Sequence, residues 1–145
     1  MRVGAARLED RLGPDEPPYR SRGESQLGRA FQLYGIPFEH EKPTPIYDDG
    51  QWRTWYPDFT LPSYGGLIVE YAGMPDRPDY MAGARHKQNT YARNGRGAVF
   101  VYPDEIGPRD WADRLVRRID AAYSGRRSRM GMGGGDFRPY AGPRY

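Results

Sequence analysis

Asp58, in Tyr56-Pro57-Asp58, and Glu70, in Ile68-Val69-Glu70-Tyr71-Ala72, flank a segment centred on Pro62-Ser63-Tyr64-Gly65-Gly66, a composition that turns a chain back on itself. If the two arms fold symmetrically about Tyr64, residues whose numbers sum to 128 face each other, so Leu61 meets Leu67 and Phe59 meets Val69 on an apolar side. The opposite side then sets Asp58 against Glu70, flanked by Thr60/Ile68 and Tyr56/Ala72, with side-chain roots about 4.5–5.5 Å apart. Two carboxylates at that separation repel, and burial adds to the cost, unless a hard divalent cation lies between their oxygens. Mg²⁺ (or Mn²⁺) is the expected ion. Each acid alone also has an ordinary explanation, because Pro-Asp steps often precede strands and a strand glutamate can point at water. A register shifted by one residue around Gly65-Gly66 would separate the pair.

The elements that must position these acids follow from periodicity. Ser21-Arg22-Gly23-Glu24 spells a capping box and opens a helix whose stripe is Leu27, Ala30, Phe31 and Tyr34, closed by Gly35. Ile36 to Glu41 is predicted as a strand ended by Pro43 and Pro45, and Trp52 to Leu61 and Leu67 to Ala72 as two more. Tyr80 to Arg93 is predicted as a second helix stopped at Asn94-Gly95, and the wholly apolar Ala98 to Tyr102 as a buried strand. Pro108 to Tyr123 makes a third helix, with Trp111, Leu115 and Ile119 opposite Arg114, Arg117 and Arg118. The order αβββαβα predicts an α/β fold, a mixed central sheet flanked by helices.

Asp58 after Pro57, Glu70-Tyr71-Ala72 after an apolar strand, and a preceding helix carrying Glu24 together resemble the PD-(D/E)XK nuclease superfamily. The resemblance spans about residues 21–103, and the wording YPDF…IVEYAG…HK…Y…G…VFVYP is similar to small endonucleases related to very-short-patch repair and to helicase-associated nuclease domains. It implies a restriction-endonuclease-like αβββαβ core and a Mg²⁺-dependent endonuclease that hydrolyses phosphodiester bonds in DNA, in repair, restriction or mobile-element biology. Asp58, Glu70 and the Tyr71 backbone carbonyl would hold the metal. Glu24 would be an outer or second-metal ligand; its alternative is the capping bond to the Ser21 backbone. The family's lysine falls at Ala72, where a methyl group cannot orient water or stabilise a phosphorane. In some members that lysine comes from the following helix. Lys87 is placed for this, because Tyr80, Ala84, Lys87 and Tyr91 share one helix face; snorkelling past Tyr91 into solvent is the alternative.

The chain has 145 residues, net charge +3, two histidines and no cysteine, which excludes disulfides, thiolate zinc sites and a cysteine nucleophile. No run of about 18 apolar residues occurs, so no membrane span is expected, and a cytoplasmic location fits. One domain, 21–123, lies between a flexible leader, 1–20, and an Arg/Gly-rich tail, 124–145, expected to be disordered. That tail carries five arginines against one aspartate, so it accounts for the basic balance, and Arg126, Arg127 and Arg129 are candidates for binding nucleic acid. His40 and His86 are too few for a zinc cluster, and His86 reads as a surface residue. Trp52, Trp55 and Tyr56 read as core or strand-edge aromatics rather than base-stacking platforms. With few loops for reading bases, site specificity would need a homodimer or a targeting subunit. The second function class is a catalytically inactive nuclease-like module that binds nucleic acid or a protein partner, with Ala72 as the mark of lost activity. Lys87 discriminates: an amine within reach of Asp58 and Glu70 favours the enzyme.

Overall fold

A computed structural model describes residues 19–131, with side chains as far as Arg126. Its centre is the strand pair expected around Tyr64. Strand β4, Phe59–Leu61, and strand β5, Leu67–Tyr71, run antiparallel in the register Phe59↔Val69, Thr60↔Ile68, Leu61↔Leu67. The register is held by a 3₁₀ turn at Pro62–Tyr64, after which Gly65 and Gly66 adopt φ of 70° and 80°, a region open to glycine without strain. Outside this pair lie β1, Glu39–His40, antiparallel to β4, and β6, Ala98–Val101, parallel to β5. The result is a mixed four-stranded sheet ordered β1-β4-β5-β6.

Alternation along these strands gives the sheet two different faces. Phe59, Leu61, Leu67, Val69, Val99 and Val101 project to one side and pack with Leu27 and Phe31 of α1, Arg22–Leu33, and with Leu115 and Ile119 of α3, Trp111–Gly131. Each such buried side chain contributes roughly 1.5–3 kcal/mol of transfer free energy. Ile68, Ala72 and Phe100 project to the other side, beneath Tyr91 of α2, Pro78–Arg93. Helix α2 forms the crossover between the parallel strands β5 and β6, as a parallel pair requires. It begins with a proline at its first turn and stops at Asn94, followed by Gly95 at φ 70°.

Several sequence expectations are corrected. The single strand expected over Trp52–Leu61 is broken at Tyr56-Pro57-Asp58 into β3, Gln51–Trp55, and β4. Strand β3 instead pairs with β2, Thr44–Asp48, in a separate hairpin where the two prolines had suggested an end. Both strands of a two-stranded ribbon are edges, where proline is tolerated. Asp49-Gly50 closes the hairpin with φ of 53° and 76°, the mirror-image turn that this dipeptide favours. The strand expected over Ile36–Glu41 is reduced to β1 because Pro37 precedes it and Glu41 has φ 55°. Tyr19 is buried in the main core and Arg20 pairs with Glu41 at 2.8 Å, so the leader ends before 19; residues 1–18 lie outside the described residues. Helix α3 starts at Trp111 rather than Pro108 and continues to Gly131, so 124–131 is helical and not a disordered start to the tail. Tyr123 packs edge-on against Tyr64 and the Arg126 guanidinium donates to the Gly95 carbonyl at 2.8 Å, which anchors arginine-rich sequence of good helix propensity. Residues 132–145 lie outside the described residues.

Gly23 marks a close approach. A Cβ there would lie 2.1–2.5 Å from three atoms of the Tyr71 ring. Gly23→Ala would gain up to about 1 kcal/mol of helix propensity but lose about 1–3 kcal/mol to overpacking. Chemical denaturation should show a lower unfolding free energy for the variant; an increase would mean that the ring swings aside at no cost.

Candidate metal centre

The site forms where β4 begins and β5 ends. Pro57 is buried and delivers Asp58 just before β4, and Asp58 Oδ2 accepts the Tyr71 backbone N–H at 2.8 Å. Glu70 lies on the α2 side of β5, 4% exposed. Tyr91, fully buried on α2, donates its hydroxyl to Glu70 Oε2 at 2.5 Å, and the Lys87 ammonium stands 3.5 Å from Glu70 Oε1. Helical spacing explains this, since Lys87 and Tyr91 are one turn apart and share the face that overlies β5.

The electrostatics match the geometry. Burial first, then the neighbouring Glu70 and Glu24 carboxylates, push the Asp58 carboxyl up to about 8, while the Tyr71 N–H and Lys87 oppose the shift. Burial and the Glu70 charge raise the Tyr91 phenol above its ordinary range, so it remains a neutral donor. Asp58 therefore feels two further acids, Glu70 at the end of β5 and Glu24 in the first turn of α1. Such a group is stable at neutral pH when a proton or a cation offsets the repulsion.

Glu24 reaches this group from α1. The Ser21 hydroxyl caps the helix by accepting the Glu24 N–H at 3.1 Å, while the Glu24 carboxylate turns away from the helix end and meets His40 Nε2 at 3.3 Å. It is buried, 7% exposed, because Gly23 lets α1 lie against Tyr71. Glu24, His40 and Glu41 present ligand atoms within 4.8 Å of one another. The Tyr71 carbonyl projects toward the Asp58 side, since the N–H and C=O of one strand residue point at the same neighbour and its N–H bonds Asp58. Tyr80 lies beside it, with its hydroxyl 3.5 Å from that carbonyl and accepting the Gly73 N–H at 2.9 Å. Ala72 is packed with Ile46, Ile68 and Tyr91.

The structure thus brings together Glu24, Asp58, Glu70, Tyr71 and Lys87. Among the described side chains, Arg126 is the one tail arginine, and it is not part of this group. Arg126 is engaged with the turn after α2, and the side chains of Arg127 and Arg129 lie outside the described ones. On α3, Arg114 and Arg117 pair with Asp110 and Asp113, and Arg118 pairs with Glu105 and bonds the Phe100 carbonyl. Two residues of the site escaped sequence reasoning. Tyr91 was legible as a neighbour of Lys87 on the helix face, but not its bond to Glu70. His40 carried no local signal, because its meeting with Glu24 depends on β1 pairing with β4. Among the described residues, no helix is long and apolar enough to cross a membrane. No protein-family model, curated protein or solved structure matches the chain.

Proposed function

We propose that the protein is a divalent-metal-dependent nuclease of the PD-(D/E)XK kind, hydrolysing phosphodiester bonds in DNA at the Asp58/Glu70 centre. The observation that carries this is the convergence of two buried or half-buried carboxylates from adjacent strands with an ammonium group 3.5 Å from one of them. The order α1, β1, β4, β5, α2, β6 agrees with the restriction-endonuclease-like core that the sequence resemblance implies.

The donor set suits Mg²⁺ or Mn²⁺: carboxylate oxygens from Asp58 and Glu70, the Tyr71 carbonyl, and Glu24 beyond them, with no sulfur ligand. A divalent cation held there supplies Lewis-acid polarisation of a phosphodiester oxygen and a more acidic water. The chain's own residues do the rest. The Tyr91 hydroxyl holds Glu70 Oε2, so ligation would fall to Oε1, which now faces the Lys87 ammonium, and the Tyr71 N–H fixes the rotation of Asp58 in the same way. The Lys87 side chain is half exposed at its outer end, so its ammonium faces both Glu70 and an approaching phosphate. There it offsets charge that develops on the phosphoryl oxygens, the role Ala72 cannot fill.

The test is cleavage of supercoiled plasmid and branched DNA in Mg²⁺. Wild type should cut, and Asp58→Ala should not. Lys87→Ala should lose about 100-fold or more in rate while binding Mn²⁺ normally by calorimetry. Cleavage that persists in Asp58→Ala would end the proposal, and a Lys87→Ala enzyme of full activity would remove the lysine from the mechanism. The position of Ala72 also fits a binding module without catalysis, which predicts metal and DNA binding with no cut in any arm.

A further inference from the structure

The β2–β3 hairpin stands outside the main sheet, and its alternation separates two faces. Ile46 and Trp55 face α2, where the Trp55 ring meets Tyr91 edge-on at 5.4 Å. The outer face carries Tyr47 paired across the ribbon with Trp52, and the exposed Tyr56 follows β3 where the chain leaves for Asp58. These three are 49%, 65% and 57% exposed, so of the two places expected from sequence, core or strand edge, Trp52 takes the strand edge. Tyr47 and Trp52 contact each other edge-on at 5.3 Å, and no charged side chain shares their cross-strand rows.

We propose that this aromatic face stacks the unpaired bases of a nucleic-acid strand whose backbone runs on to the Asp58/Glu70 centre, so that the substrate has single-stranded character; the cutting step alone rests on the nuclease reading. Three observations on the molecule support that occupant. First, the platform is fixed before binding: the Asn94 side chain accepts the Tyr47 N–H at 2.9 Å and donates to the Tyr47 carbonyl at 3.0 Å, which fastens the hairpin to α2. Rings held this way lose little freedom when a base stacks on them. Second, the flank of the hairpin is basic. His86, Arg93 and Arg53 gather around the single carboxylate of Asp48 at 3.1, 3.8 and 4.0 Å, and Arg85 and Lys87 are exposed on the same helix. Asp48 and the exposed Asp49 at the turn balance Arg53 and Arg93, so the positive excess is that of Arg85, with Lys87 shared with Glu70, and it suits a phosphate backbone. Third, the hairpin leads into the site, because β3 ends at Trp55 and the chain reaches Asp58 through the exposed Tyr56 and the buried Pro57. Aromatic stacking needs a base with a free π-face, which an intact duplex conceals and a flap, branch or gap presents.

The experiment uses the full chain in EDTA, so that binding is read without cleavage. Fluorescence anisotropy compares a labelled single-stranded oligonucleotide of about 20 nucleotides with the same sequence as duplex. Wild type should bind the single strand more tightly. Trp52→Ala should weaken that binding by about 10-fold or more and leave duplex binding unchanged, with Trp52→Phe retaining most of the affinity. An unaltered melting temperature in Trp52→Ala would show that the loss is not unfolding. The proposal is overturned if Trp52→Ala binds the single strand as wild type does, or if wild type prefers duplex or binds neither. It is also overturned if sedimentation shows a dimer that Trp52→Ala dissociates, because a second copy then occupies the face. Trp52-dependent binding in a protein that never cuts DNA would support the stacking face and count against the nuclease reading only.

Discussion

Glu70→Gln should abolish Mg²⁺-dependent cleavage, with a loss well beyond about 100-fold, while the protein stays folded. Loss of even a supporting hydrogen bond around a metal ligand typically costs about 10–100-fold, and on the proposed reading this change would remove the charge of a ligand itself. The amide can still accept the Tyr91 hydroxyl bond that Glu70 Oε2 now receives at 2.5 Å, so the buried phenol keeps a partner. Its NH₂ group would then face the Lys87 ammonium, donor against donor, where the carboxylate now attracts it at 3.5 Å. Calorimetry with Mn²⁺ and Mg²⁺ should give binding heat for wild type and none for the variant, with unchanged circular dichroism. Saturable binding of normal affinity by Glu70→Gln would place the cation elsewhere and undo the assignment of the centre.

Asp58→Asn should make the metal-free protein more stable at pH 8 than wild type, by on the order of a few kcal/mol, and at the same time unresponsive to metal. In the folded chain the Asp58 carboxyl is raised from 3.8 to about 8, first by burial and then by Glu70 and Glu24. Between those values the folded protein holds a proton that the unfolded chain has released. Asp58 therefore contributes its full stability below about pH 4, and that contribution falls as pH rises toward about 8. Asparagine has no charge to suppress and can still accept the Tyr71 N–H. Melting curves in EDTA should show wild type losing stability between pH 5 and pH 8 relative to the variant. Adding Mn²⁺ should restore wild type more at pH 8 than at pH 5, because at the lower pH the cation must displace a proton. A wild type that gains on Asp58→Asn as pH rises would show that the carboxyl is not crowded by its neighbours.

Both effects depend on the β4–β5 register, one of two that the linear sequence allowed. Leu61, Leu67, Phe59 and Val69 share one face in the observed alignment, and a slip of β5 by one residue would carry Leu67 and Val69 to the α2 face. Asp58 and Glu70 come together as a consequence, and the face of α2 that carries Lys87 and Tyr91 follows from helical spacing alone. The hairpin was also present in the letters, since Asp49-Gly50 between alternating segments is a strong turn signal, but the neighbouring Pro43 and Pro45 point the other way. Local rules conflicted there, and long-range packing of Ile46 and Trp55 on α2 decided.

What local pattern determined, then, is the three helices, strands β5 and β6, and the β4–β5 pairing that sets Asp58 near Glu70. The tertiary structure alone decided that Glu24 turns from its helix cap to His40, that the Tyr91 hydroxyl meets Glu70, and that Trp52 stays in solvent while Trp55 does not. Periodicity reports which side of its own element a residue occupies. It carries no record of what the opposing element will present there, and a hydrogen bond, an ion pair or an uncovered ring is a property of both.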